Sequence, residues 1–151
     1  MEKLKGSALK ANFEEDFRQR TFRAFAEEIE AVDGARDLIE SLDCPMAVAS
    51  NGPRNKMDIT LKGAGLYSFF EGRIFSAYDI KSWKPNPELF LYAAQKINAK
   101  PANTIVIEDS MAGVEAALKG GFKVYALVRE HTRNQLAQSD ALLIEHLSKI
   151  T

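Results

Sequence analysis

Cysteine occurs once in these 151 residues, so no internal disulfide can staple the fold, and a core must do that work. The lone thiol, Cys44, fits a reducing cytosol. Because it stands just before an apolar stretch, it is expected to be a buried, inert side chain. No apolar run approaches the length of a membrane span, and residues 1–20 are charged, which excludes a secretory leader from this stretch. Excess charge is lacking too. With 20 basic and 21 acidic residues the formal net charge is −1, so nothing draws the chain to nucleic acid or an anionic membrane. Lys3, Lys5 and Lys10 are a sparse terminal set best read as solvated. Histidine occurs only at positions 131 and 146, and their spacing suggests surface residues on the last helices rather than a metal pair. Repeats, low-complexity tracts and long linkers are also missing. What remains is an ordinary globular composition, 46% hydrophobic and 27% charged, at a length that supports a real core.

Periodicity then organises the chain. Residues 12–30 read as helix, with Phe13 and Phe17 on one face and Phe22, Phe25, Ala26 and Ile29 on another, an aromatic load that needs a partner surface. Asp33 can cap a helix carrying Leu38, Ile39 and Leu42. Pro45 opens Met46-Ala47-Val48-Ala49, a short buried strand that runs into the turn Ser50-Asn51-Gly52-Pro53. A helix follows to about Lys62, ended by Gly63 and Gly65. Residues 73–77 make a weaker strand. After Lys84-Pro85-Asn86-Pro87 comes a helix with Leu89, Phe90, Ala93, Ala94 and Ile97 on one face. Thr104-Ile105-Val106-Ile107 is a strong strand ending in Glu108-Asp109-Ser110. Residues 111–119 form a small-residue helix closed by Gly120-Gly121, Val124 to Val128 is another strand, and a polar helix comes last. Strands alternating with helices predict a parallel sheet covered on both faces.

Ligands in such sheets bind beyond the carboxyl ends of the strands. One strand ends in Ser50-Asn51, where a hydroxyl, an amide and a helix start can hold phosphate. Another ends in Glu108-Asp109, adjacent carboxylates that suit a hard cation such as Mg²⁺. Lys84, held in a rigid frame with Pro85 and Pro87, can neutralise phosphate charge. Each has an ordinary reading as turn residue, solvated lysine or helix cap. Their order and common placement at strand ends and helix starts favour three of the parts that phosphoryl transfer needs.

Val48-Ala49-Ser50-Asn51-Gly52, Lys84-Pro85-Asn86-Pro87 and Ile107-Glu108-Asp109-Ser110-Met111-Ala112-Gly113 resemble, in that order, the second, third and fourth motifs of the haloacid dehalogenase-like (HAD) superfamily. The resemblance covers residues 31 to about 145. Ser50 to Pro53 with Lys56-Met57, and Tyr78-Asp79-Ile80 with Trp83-Lys84-Pro85, look closest to bacterial 6-phosphogluconate phosphatases. It implies an α/β, three-layer Rossmann-like core over 31–151, with residues 1–30 as the remnant of a helical cap. It also implies an aspartyl-phosphate mechanism with Mg²⁺ at Glu108 and Asp109, phosphate contacts from Ser50, Asn51, Gly52 and Lys84, and catalytic roles for Ser50 and Lys84. The implied substrate is a small phosphorylated sugar or sugar acid. A β-phosphoglucomutase-like transferase, or a non-catalytic binding module, are the alternatives.

The family's first motif, Asp-x-Asp-x-Thr, supplies the nucleophile, and no Asp-x-Asp occurs here. The expectation is therefore a truncated core, inactive alone and missing its central strand between 46–50 and 104–108. The two exposed edges are expected to pair with each other or to be filled by another chain through self-association.

Overall fold

The computed structural model describes residues 29–150. The helix expected over 12–30 lies almost wholly outside them. The elements run α1 (Ala35–Ser41), β1 (Val48–Ser50), α2 (Arg54–Gly63), α3 (Tyr67–Phe70), β2 (Ile74–Ser76), α4 (Ala77–Ile80), α5 (Glu88–Lys96), β3 (Ile105–Glu108), α6 (Met111–Lys119), β4 (Lys123–Leu127), α7 (Arg133–Leu136) and β5 (Leu142–Ile144). Short 3-10 turns occupy Pro101–Asn103 and Leu147–Lys149. All strand pairing is parallel, as the alternating pattern predicts.

The strands form two sheets. In the first, β1 pairs with β2, matching Val48 to Ile74 and Ser50 to Ser76. In the second the order is β3-β4-β5, with Ile107 beside Tyr125 and Tyr125 beside Leu142. Direct pairing of β1 with β3, one of the two outcomes expected for the open edges, does not occur. Packing joins the sheets instead. From α5, Leu89 and Ala93 pack with Phe75 of the first sheet, while Phe90 and Ala94 pack with Val106 and Val124 of the second. One amphipathic helix thus straddles both sheets, and Ala49 of β1 touches both clusters. Two alanines of α6, Ala116 and Ala117, are fully buried and let that helix lie close on β3 and β4. Cover is not uniform: Ile105, Ile107 and Leu142, in the second sheet, stay exposed.

Local expectations fare unevenly. Helix α6 spans the predicted residues 111–119, and Ser110 caps it by accepting from the Gly113 N–H. Asp33 does not cap α1. Gly34 takes that place at φ 74°, a left-handed conformation that costs glycine little, and Asp33 instead meets His146 Nε2 at 3.2 Å. Cys44 is exposed, not buried, because β1 begins only at Val48 and leaves the thiol in the preceding loop. The terminal polar helix is a single turn, followed by strand β5. His131 is exposed, and His146 caps the final 3-10 turn rather than lying on a helix.

Candidate active site

The turn after β1 is fixed by two serines, one from each strand of the first sheet. Ser50 Oγ accepts the Gly52 N–H at 3.1 Å, and Ser76 Oγ donates to the Gly52 carbonyl at 2.7 Å. Ser76 is wholly buried, and its own N–H donates to Asp79 Oδ2 in a capping box that starts α4. Ser76 is a supporting residue that sequence reasoning missed. Its only signal was a serine closing the weaker strand at the same register as Ser50.

Lys84 ties the two sheets together at their carboxyl ends. Its Nζ donates to the Ala49 carbonyl of β1 at 3.0 Å and pairs with Glu108 Oε1 at the end of β3. Both side chains are about nine-tenths buried, at 9% and 10% exposure. The ammonium also lies 4.4 Å from the Phe90 ring centre, a cation–π contact that softens its desolvation. Val48 N–H points to the first sheet's interior, donating to Arg73 O. Ala49 O therefore faces the other edge of β1, and Lys84 satisfies an acceptor that no strand among the described residues reaches.

Asn51 does not stand free beside the turn. Its Oδ1 accepts the Lys84 N–H at 2.9 Å, and its Nδ2 donates to the Lys84 carbonyl at 3.2 Å. Glu108 is equally committed. Besides Lys84, its Oε2 accepts from the Ser110 hydroxyl at 2.9 Å and from the Asp109 and Ser110 N–H groups at 3.2 and 3.3 Å. Room for that carboxylate exists only because residue 113 is glycine, since a Cβ there would fall inside contact distance of Cδ and both oxygens. Gly113, the last residue of the fourth motif, is thereby part of the site's construction.

The structure brings the predicted residues together. Lys84 contacts Ala49 and Glu108, the residues that immediately precede Ser50 and Asp109 at the two strand ends. With Lys84 and Glu108 compensating one another, Asp109 is the carboxylate of this pair left without a hydrogen-bonded or ion-paired side-chain partner among the described residues. Mg²⁺ commonly takes one or two carboxylates and fills its shell with water and phosphate oxygens, and an exposed Asp109 suits that donor set. No group of three or more Asp, Glu, His or Cys positioned for a metal occurs among the described residues, so any ion here would depend on further ligands. Nor is any helix among them long and apolar enough to cross a membrane.

A family model described as haloacid dehalogenase-like hydrolase matches residues 1–121. The chain is 33% identical over 141 residues to the 6-phosphogluconate phosphatase of Escherichia coli, covering 93% of this chain and 64% of that protein. It is 30% identical over 121 residues to a phosphorylated carbohydrates phosphatase of Thermotoga maritima, covering 78% and 56% respectively. Among solved structures it resembles a HAD family hydrolase of Deinococcus radiodurans, determined with bound phosphate and sodium. That likeness has a TM-score of 0.76 at 26% identity and covers 88% of this chain and 62% of that one. The chain thus spans between half and two thirds of the length of these relatives.

Proposed function

Because the chain belongs to the haloacid dehalogenase-like hydrolases, we propose that it forms the phosphate-handling part of a phosphatase for a small phosphorylated sugar or sugar acid. The observation that carries this reading is the Lys84 ammonium bridging Ala49 O of β1 and Glu108 at the end of β3, the residues next to Ser50 and Asp109 in sequence. In this reading the Ser50 hydroxyl donates to a phosphoryl oxygen, and its Oγ lone pair stays on Gly52. Lys84 supplies positive charge within a mostly buried setting, where it acts more strongly than in water. Asp109 is the residue that would hold Mg²⁺, with Glu108 beside it oriented mainly toward Lys84. When bound, the ion would neutralise phosphoryl oxygens and help orient them.

The attacking carboxylate of an aspartyl-phosphate route is not assigned to any residue here, since no Asp-x-Asp pair occurs in the sequence. We therefore read these residues as competent to bind phosphate and incompetent to turn over ester by themselves. The sugar assignment rests on the names of the similar phosphatases from Escherichia coli and Thermotoga maritima. Residues 1–30 are read as belonging to a cap that would take part in substrate choice.

Titration of the chain with inorganic phosphate in the presence of Mg²⁺, followed by calorimetry or phosphorus NMR, tests the reading. Lys84→Met and Ser50→Ala should each weaken binding about tenfold, the effect of one lost charge-assisted hydrogen bond. Asp109→Asn should remove the dependence on Mg²⁺. Undiminished phosphate affinity in Lys84→Met would sink the site, and hydrolysis of 6-phosphogluconate by the chain alone would sink the assignment of incompetence.

A second reading, of association, is favoured by the edges of β1 and β3 that no other strand pairs among the described residues. Two copies could pair there, and sedimentation at rising concentration should then show a dimer; a monomer at all concentrations removes it.

A further inference from the structure

We infer that Asn51 is a positioning residue that acts through Lys84, rather than a ligand of the phosphate itself; this rests on the proposed role of Lys84 in the phosphate site. A paired contact between residues 33 apart in sequence carries the inference. Asn51 Oδ1 accepts the Lys84 N–H at 2.9 Å, while Asn51 Nδ2 donates to the Lys84 carbonyl at 3.2 Å. A carboxamide carries the same donor and acceptor as a peptide group, so it can clasp one residue's backbone as a neighbouring strand would. The partners also settle the orientation of the amide. Lys84 N–H can only donate and its C=O can only accept, so the flipped amide would lose both bonds.

Few side chains could replace it. Aspartate would keep the bond from Lys84 N–H but place an anionic oxygen against the Lys84 carbonyl. Serine and alanine cannot make the paired contact. The clasp matters because the loop that carries Lys84, residues 81–87, contains no regular element to hold it. Its backbone is turned by the Asn86 N–H bonding to Trp83 O at 3.0 Å. Asn51 fixes the near end of the lysine, while Ala49 O and Glu108 fix its ammonium. A long, flexible side chain held at both ends presents its charge at one place, and less rotamer freedom is lost when an anion arrives. The turn that carries Ser50 and the loop that carries Lys84 are thereby made one unit.

Two measurements on the full chain test this. The first is the rate at which an amine-acylating ester modifies Lys84, read by peptide mass spectrometry against exposed Lys119 and Lys123. Asn51→Ala should raise the Lys84 rate about tenfold and leave the two exposed lysines unchanged, with Asn51→Asp intermediate. Unfolding instead would change many sites together, and a thermal melt of each variant identifies that case. The second is a double-mutant cycle on inorganic phosphate binding. Asn51→Ala should weaken binding in the native background and have an effect of less than about twofold in Lys84→Met, because its effect passes through the lysine. Equal weakening in both backgrounds would make Asn51 a direct phosphate ligand and overturn the inference. An unchanged Lys84 acylation rate in Asn51→Ala would overturn it as well. Failure of the native chain to bind phosphate would strike the proposed function, while the acylation rate would still decide whether Asn51 holds Lys84.

Discussion

Replacing Gly113 with alanine sets two effects of opposite sign against each other, and the structure says which wins. Gly113 lies inside α6. By helix propensity alone, Gly→Ala there should stabilise by about 1 kcal/mol, partly by restricting the unfolded chain. The new methyl group, however, would occupy the space of the Glu108 carboxylate. Glu108 is a flexible side chain, so the backbone need not move; the carboxylate swings away and loses its contacts. Lys84 is then left with a side chain only 9% exposed and no counter-charge. Breaking one side of such a buried pair costs about 3–5 kcal/mol. The Ser110 hydroxyl and two backbone N–H groups also lose an acceptor, although these can turn to water. The net expectation is a loss of about 2–4 kcal/mol, read from urea unfolding. The same substitution made in Glu108→Ala should reverse sign and stabilise by up to about 1 kcal/mol, because the clash is gone. Should Glu108→Ala prove too unstable to measure, adding Lys84→Met removes the orphaned charge. A stabilised Gly113→Ala protein in the native background, or the same cost in both, would refute the reasoning.

Three further outcomes are expected from the structure. Ser76→Ala removes a buried hydroxyl that donates to Gly52 O and accepts from Tyr78 N–H, and should lower stability by about 1–2 kcal/mol in thermal or urea unfolding. A change within about 0.3 kcal/mol would mean that the turn holds without it. Leu136→Ala, at a fully buried position in the cluster of Phe90, Val114 and Val124, should cost about 2–5 kcal/mol by the same assay. Cys44 should react stoichiometrically with a chromogenic disulfide reagent in native buffer, and a requirement for denaturant would contradict its exposure.

Much of this molecule is legible from local signals, and the misreadings share a cause. Helices α5 and α6 could be read because apolar spacing, Pro87 and the Ser110 cap all act within a few residues of one another. Strand β5 could not. Leu142 to Ile144 is three residues long, and its conformation comes from pairing with Tyr125 to Leu127, which no short window contains. Asp33 illustrates the same limit from the other direction. It has the right side chain for a cap, but His146 lies 113 residues away in sequence and only 3.2 Å away in space, and Gly34 takes the turn. In the candidate site, the placement of Ser50, Lys84, Glu108 and Asp109 at strand ends and in the loop before a helix was visible, because strand ends gather polar groups. Which atoms were free was not visible. Two adjacent carboxylates look equivalent as a metal pair in sequence, yet Glu108 spends its oxygens on Lys84 and Ser110, and Asp109 does not. Asn51 likewise reads as an anion ligand until Lys84 arrives from 33 residues away and takes both ends of its amide. Residue type and placement therefore mark a candidate site, whereas which atoms remain available depends on long-range partners that already satisfy them. The carboxylate at position 108 and the amide at position 51 both hold the lysine, one at its ammonium and one at its backbone.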